Sequence, residues 1–492
     1  MRSSGVLLPA SSLPSPYGIG AFGKDARIWV DFLDAAGQKY WQILPLSPTS
    51  YGDSPYQSFS AFAGNSYFVD LDTLCEEGLL SRKDFEDINW CRTDDRVDYD
   101  TIYQHREKVL RKAYSSFTDE KALDDFIEKN HWFADYGLFM AIKKTQGEQS
   151  WEKWDEPLRL RNADAISKAE EALKDDVRYH AFVQYQFQKQ WFSLRKYAND
   201  KGVEIIGDAP IYVSLDSADV WANHHMFQLD DNAVPIEIAG CPPDGYSEIG
   251  QVWGNPLYDW DYMEKTGFEW WIKRLEYNFD FLDVLRIDHF RCLEGYYAIP
   301  YGAETAKNGR WRTGPGLSFI NAIKKDMPGA KIIAENLGFL TDKVAELLDA
   351  SGYPGMKVIQ FAFDSRATEG DDPGNYEENL VLYPGTHDND TLWGWCNTAS
   401  PESVKNAMDY LGIADMKNLP GAIIEMAMRS DARLAVIQMQ DWLGLGSEAR
   451  INTPSTSDGS NWRWRLEKKM LTDRLADSMA QITKEYKREK QL

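Results

Sequence analysis

Apolar residues in this chain gather into short runs, most of which end in a turn bearing Gly, Pro or polar side chains. Eight such runs stand out: KYWQILPL (39–46), SYFVDL (66–71), VEIIGDAPIYV (203–213), FLDVLRID (281–288), KIIAENLG (331–338), MKVIQFAF (356–363), NLVLYPGTHD (379–388) and RLAVIQMQDWL (433–443). They are rich in Val, Ile and Leu and mostly lack the apolar–polar alternation of a sheet with one wet face. That pattern predicts parallel strands buried on both sides. Helical periodicity lies between several of them. In 183–198, Val183, Phe187, Trp191, Leu194 and Ala198 recur at steps of three or four, the stripe of an amphipathic helix. Eight strands alternating with helices predict an α/β fold, a (β/α)8 TIM barrel forming one catalytic unit over 1–492.

The spacing of the runs is uneven. Segment 72–180 reads as charged helices, TIYQHREKVLRKAYSSF and DAISKAEEALKDDVRYH among them, and predicts a helical insertion subdomain after the second strand. A second insertion, 214–280, follows the third strand, and both are expected to be mainly helical. Within it, 238–260 (IAGCPPDGYSEIGQVWGNPLYDW) has Gly, Pro and aromatics without periodicity, the composition of a binding loop that covers a substrate. After Met470 a helix-like run ending in KEYKREKQL reads as a solvated terminal face.

Composition narrows the partners. Across 492 residues, 54 Lys and Arg stand against 77 Asp and Glu, a formal charge of −23 that repels phosphate backbones and anionic lipid. Nucleic acid and membrane surfaces are therefore not expected partners, whereas a neutral substrate meets no such barrier. Some of the 18 Trp and 25 Tyr are expected in the core, but such faces are also what a protein uses to grip large amphipathic ligands. Five cysteines (Cys75, Cys91, Cys241, Cys292, Cys396) are scattered, with no CxxC pair, which suits a reducing compartment. The run Val6–Leu8 before Pro9 is too short for a signal-peptide core, and no 18-residue apolar run occurs, so a cytoplasmic location is expected.

In a barrel of this kind the chemistry sits at the C-terminal ends of the strands. Those ends carry Asp208, Arg286 with Asp288, Glu335, and His387 with Asp388. Positions i and i+2 share a strand face, so Arg286 and Asp288 point the same way. A guanidinium beside Asp288 favours its ionised form, while Glu335, following Ile332, Ile333 and Ala334, sits where burial favours a proton. Two carboxyls pushed apart in this way are what glycosidic bond exchange uses: one protonates the departing oxygen, the other attacks the sugar carbon. Two other readings stay open. A metal-dependent barrel hydrolase could use Asp288–His289 and His387–Asp388. However, the first strand supplies no ligand, and His224–His225 suit a loop more than a chelating face. A non-catalytic glucan binder would need the aromatics but not three carboxyls together.

These segments resemble, in wording and order, the 4-alpha-glucanotransferases (amylomaltases, disproportionating enzymes) of the α-amylase clan. The markers are SLPSPYGIGAFG (12–23), WQILPLSPT (41–49), GDSPYQSFSAFAGN (52–65), GDAPIYV (207–213), GQVWGNPLYDW (250–260), RIDHFR (286–291), IIAENLG (332–338), PGMKVIQFAF (354–363), GTHDND (385–390), LGLGSEARINTPST (443–456) and NWRWR (461–465). The resemblance implies Asp288 as nucleophile with Arg286 as its positioning partner, Glu335 as general acid/base, and Asp388 as transition-state stabiliser. It implies His387 as a ligand of sugar hydroxyls and Asp208 as a supporting aspartate. Ser54, Tyr56, Tyr246, Gln251, Trp253, Asn255 and Asn461 resemble positions lining a glucan groove. Tyr51 sits where some relatives hold a second stretch of glucan. It further implies maltooligosaccharides and α-1,4-glucans as donor and acceptor, a retaining double displacement through a covalent glucosyl–enzyme, and neither metal nor cofactor. The chain departs from the family at Asn336, where an acidic residue is usual, and at Gly245–Tyr246, where two aromatics are common. It departs again at Cys292 and Leu293, which read as packing changes.

Overall fold

The computed structural model describes residues 2–490 apart from 244–246, 339, 365, 366, 368 and 457, and the backbone but not the side chains of Tyr51 and Glu369. Eight parallel strands form the barrel: β1 (Ser3–Leu7), β2 (Tyr40–Gln42), β3 (Glu204–Ala209), β4 (Val284–Ile287), β5 (Ile332–Ala334), β6 (Gly355–Val358), β7 (Leu380–Tyr383) and β8 (Leu434–Gln438). Pairing runs β6–β7–β8–β1–β2–β3–β4–β5. The seam between β5 and β6 is bridged where the Ala334 N–H donates to Pro354 O (2.9 Å) and the Met356 N–H donates to Asn336 Oδ1 (2.7 Å). Asn336 thus turns its side chain to the wall, away from the residue before it, as alternation along a strand requires.

Seven of the eight predicted runs contain a barrel strand, and one does not. SYFVDL (66–71) folds as a 3-10 turn, Ser66–Phe68, and the start of the helix Leu71–Glu76. The cause is capping: Asn65 accepts the Tyr67 N–H and Asp70 accepts the Thr73 N–H, and both side chains favour helix starts over a ladder. The missing strand is β1. Its polar opening, Ser3–Ser4–Gly5, hides it from any search for apolar runs, although the strand is fully buried. Gly5 lies opposite Tyr40, where a Cβ would come within 2.7 Å of the Tyr40 Cβ, so only glycine lets β1 and β2 approach.

Between β2 and β3 the chain forms helices at Tyr99–Ser115, Glu120–Lys129, Phe133–Thr145, Ala163–Ala172 and Lys174–Asp200. The stripe Val183, Phe187, Trp191, Leu194 and Ala198 is buried along the last of these. There Trp191 meets Trp41 of β2 (ring centroids 6.3 Å) and Phe22 (4.8 Å), so these helices share one core with the barrel. The segment after β3 is less helical than its pattern predicts. Its strands Glu237–Cys241 and Gln251–Pro256 pair antiparallel with each other, and Glu237–Cys241 also pairs with Gly295–Pro300. Gly295–Pro300 in turn pairs with Arg310–Thr313, so two insertions build one small sheet over the barrel mouth. Among the described residues, no helix is long and apolar enough to cross a membrane.

The C-terminal tail also differs from its reading as a solvated face. The helix Asp473–Glu485 buries Ala476, Met479 and Thr483, and beyond it Arg488 is fully enclosed. Its guanidinium donates to Ser3 O (2.9 Å), Met428 O (2.6 Å), Ser430 O (2.7 Å) and Ala432 O (2.9 Å). It thereby ties β1 to the carbonyl end of the helix Leu419–Arg429 at the barrel floor. Burial pushes this group down to about 10. Arg488→Met removes these bonds, leaving Ser430 O with Arg2 Nη1 (2.8 Å), and is expected to destabilise the fold by roughly 2–4 kcal/mol, after relief of the buried charge is set against the loss. A thermal midpoint unchanged from the parent would refute this anchoring.

Candidate active site

Strand register assembles the site. β3 and β4 align Asp208 with Arg286, and β4 and β5 align Ile287 with Ala334. Asp288 and Glu335 are therefore the next residues of neighbouring strands. Their ladder continues through Asp288 N–H to Ala209 O (3.0 Å) and Glu335 N–H to Ile287 O (3.0 Å).

Arg286 is the hub. Its Nη1 donates to both oxygens of Asp208 (2.7 and 2.6 Å) and lies 2.9 Å from Asp288 Oδ1, while Nε meets the Met356 sulfur at 3.4 Å. Although burial disfavours its charge, the carboxylates of Asp208 and Asp288 dominate and hold the guanidinium well above its usual value. Burial acts in the opposite sense on Asp208 and raises it, with Arg286 as the chief counterweight. Asp208 is sealed beneath the site, whereas the Asp288 side chain is 28% exposed and open to a ligand.

Glu335 is 7% exposed. Two backbone donors hold it, His289 N–H to Oε2 (2.6 Å) and Leu337 N–H to Oε1 (2.6 Å). Burial pushes its pKa up to about 7; Arg286 opposes this and Asp288 adds to it, with the two N–H donors the smaller, lowering influences. His289 reaches Glu335 by adopting a left-handed conformation (φ 50°), uncommon for a residue with a Cβ and typical of functional sites. Burial pushes its imidazole down to about 4, a neutral ring packed edge-on to Trp253 (5.0 Å).

The turn after β7 brings His387 and Asp388. Tyr56 Oη donates to Asp208 Oδ2 (2.7 Å) and lies 3.0 Å from His387 Nε2, and the two rings stack at 5.3 Å. Trp462 completes this aromatic group, packing against both Tyr56 (5.9 Å) and His387 (6.1 Å). Asp388 is 46% exposed and accepts a 2.6 Å bond from Asn452 Nδ2.

The remaining predicted residues occupy supporting positions. Ser54 Oγ accepts the Tyr56 N–H (3.3 Å) in the loop before the ring. Asn255 donates to Val213 O (2.8 Å) and accepts from Gln57 (3.3 Å), fixing the strand that carries Trp253 and Gln251, whose side chains bond each other at 3.0 Å. Asn461 turns its amide back into its own loop, accepting the Thr453 N–H (2.9 Å) and donating to Thr456 Oγ1 (3.0 Å). Tyr246, with Gly245, and the side chain of Tyr51 lie outside the described residues. Cys292 is fully buried in the turn Phe290–Leu293. Among the described residues, no group of His, Cys, Asp and Glu is arranged to hold a metal ion. The pattern along the chain did not single out Asn452, Arg450, Met356 or Gln57. Asn452 and Arg450 lie in the loop after β8; their place beyond a strand end and within the marker 443–456 are the signals that pointed to that loop, though not to these residues.

The sequence matches the profile of the family described as 4-alpha-glucanotransferase over residues 8–472. It is 48% identical over 483 residues to the 4-alpha-glucanotransferase of Clostridium butyricum, covering 97% of this chain and 99% of that one. To the 4-alpha-glucanotransferase of Thermus thermophilus it is 45% identical over 479 residues, covering 94% and 95%. Among solved structures, the amylomaltase from Streptococcus agalactiae in complex with acarbose superposes with a TM-score of 0.97 at 40% identity, covering 99% of this chain and all of that one. The amylomaltase from Corynebacterium glutamicum shares the fold, with a TM-score of 0.79 at 17% identity over all of this chain and 75% of that one. With its family profile, its relatives and its barrel in agreement, this chain belongs to the 4-alpha-glucanotransferase family.

Proposed function

We propose that Asp288 and Glu335 carry out the glucan transfer of this family, with maltooligosaccharides and α-1,4-glucans as both donor and acceptor. The carrying observation is one pair of neighbours in unlike surroundings: Asp288, part-exposed against Arg286, and Glu335, buried and pushed up to about 7. In the first step the Asp288 carboxylate attacks the anomeric carbon while Glu335 gives its proton to the departing glycosidic oxygen. A covalent glucosyl–enzyme and a shortened glucan result. In the second step the ionised Glu335 takes the proton of an acceptor hydroxyl, whose oxygen displaces Asp288 and restores the original anomeric configuration. Asp388 and His387 hold sugar hydroxyls, and the Asp388 charge faces the positive charge that develops on the ring. Asp208 fixes Arg286 from below, and Tyr56 ties Asp208 to His387.

Transfer to sugar in place of water depends on what fills the acceptor side. The aromatic groups formed by Tyr56, His387 and Trp462, and by Trp253 and His289, offer apolar faces to sugar rings and little to water. Five free cysteines fit a reducing cytoplasmic setting for the same reaction. Incubation with maltotriose tests the reading: glucose should appear with a ladder of longer maltooligosaccharides while the number of reducing ends stays constant. A steady rise in reducing ends without longer products would identify a hydrolase.

A further inference from the structure

We propose that Asn452 is a positioning residue for Asp388, fixing one carboxylate oxygen with a neutral donor so that the full negative charge remains directed at the sugar. The inference rests on the reading of Asp388 given above. The three other acidic groups of the site are held differently: Asp208 and Asp288 share the Arg286 cation, and Glu335 is buried on backbone donors. Asp388 instead accepts from an amide, Asn452 Nδ2 at 2.6 Å from Oδ1, and keeps nearly half its surface open.

A cation stands nearby but is directed elsewhere. Arg450 donates through Nη2 to the main-chain oxygen of Asp388 (2.7 Å) and through Nε to the main-chain oxygen of Asn452 (2.8 Å), so it clamps two backbones and leaves the carboxylate alone. The Asn452 N–H adds a third tie, to His387 O at 3.1 Å. The loop that presents Asn452 is itself closed: Trp462 N–H donates to Ile451 O (2.7 Å) and Asn461 holds Thr453. The chargeable groups facing Asp388 are then His387, whose Nε2 lies 3.5 Å from Oδ1, the Arg450 guanidinium on the backbone side, and the more distant Tyr56. An amide orients the carboxylate without neutralising it, as electrostatic stabilisation of a developing cation requires.

Three variants test this by disproportionation of maltotriose across pH, with thermal midpoints recorded alongside. Asn452→Ala should lower kcat by about ten- to a hundredfold with KM little changed, the size of effect produced by misplacing a reacting group. Asn452→Asp keeps the shape but sets a second carboxyl against Asp388, and two such groups share a proton. Its acid limb of kcat/KM should therefore move to higher pH by about one unit or more, a shift that a merely structural residue would not give. This second variant decides the matter if the alanine protein folds poorly. Asp388→Asn checks the underlying role. If that variant is inactive while Asn452→Ala stays within twofold of the parent and Asn452→Asp keeps the parental acid limb, the positioning role is overturned alone. If Asp388→Asn retains parental turnover, the role assigned to Asp388 falls, and this inference with it.

Discussion

Replacing Asp288 by Asn leaves a folded barrel whose turnover on maltotriose falls by roughly 10^5-fold, equivalent to about 7 kcal/mol of lost transition-state stabilisation. The amide has no charged oxygen to bond the anomeric carbon, so no covalent intermediate forms and only binding and the remaining electrostatics act. Folding should survive because Arg286 keeps both contacts to Asp208, at 2.7 and 2.6 Å, and the site around Asp288 is already part-open. The alanine variant adds a stereochemical check. With an activated α-glucosyl donor and azide in the vacated space, attack from the face that Asp288 occupies should give the β-glucosyl azide, one inversion in place of two. An Asp288→Asn enzyme above a hundredth of parental turnover, or an azide product of α configuration, would remove Asp288 as nucleophile.

The grouping of Asp208, Arg286, Asp288 and Glu335 at one end of the barrel was legible in the sequence because strand geometry converts position into direction. Arg286 and Asp288 share a face by alternation, and Glu335 follows three apolar residues that place it at a strand end, where register sets it beside Asp288. β1 was invisible for a physical reason: Ser3, Ser4 and Gly5 are buried by pairing with β8, and Gly5 also by close approach to Tyr40 of β2, not by apolar side chains of their own. SYFVDL misled in the opposite direction, since its apolar residues are buried by a helix whose caps, Asn65 and Asp70, outweigh strand propensity. The predicted strands were also too long. Ile43, Leu44, Ile211 and Val213 are buried beyond the ladders, in loops that the insertions cover, and burial alone does not distinguish a strand from a covered loop. The small antiparallel sheet stayed hidden because its strands lie in segments far apart in the chain, one bordered by a Gly- and Pro-rich loop, and gain their partners only in the fold. Asn452 escaped for a similar reason. It lies in an irregular loop with no periodicity, and its 2.6 Å contact with Asp388 exists only in the fold.

Glu335→Gln should remove the proton donor and lower kcat/KM on maltooligosaccharide donors by roughly 10^2–10^4-fold. Three readouts separate this role from a general disturbance. The parent should lose kcat/KM as pH rises through about 7, where Glu335 gives up the proton that its first step requires; the glutamine variant should show no such limb. A donor whose leaving group needs no proton, such as α-glucosyl fluoride, should restore glucosylation in the variant, and an anionic acceptor such as azide should restore the second step. The third readout is stability. A native carboxyl at about 7 holds its proton where the unfolded chain, at 4.5, has lost it, so the native state binds more protons across that window. Stability therefore declines as pH rises from 4.5 to 7, and a penalty on the order of 3 kcal/mol is fully present above it. The glutamine variant never ionises. It forfeits one of the two backbone contacts at every pH, so its midpoint relative to the parent should climb between pH 5 and pH 8 whatever the offset at the start. A difference in midpoint that does not change with pH, or an alkaline limb near 7 that persists in the variant, would place the raised carboxyl elsewhere and leave the transfer without its acid.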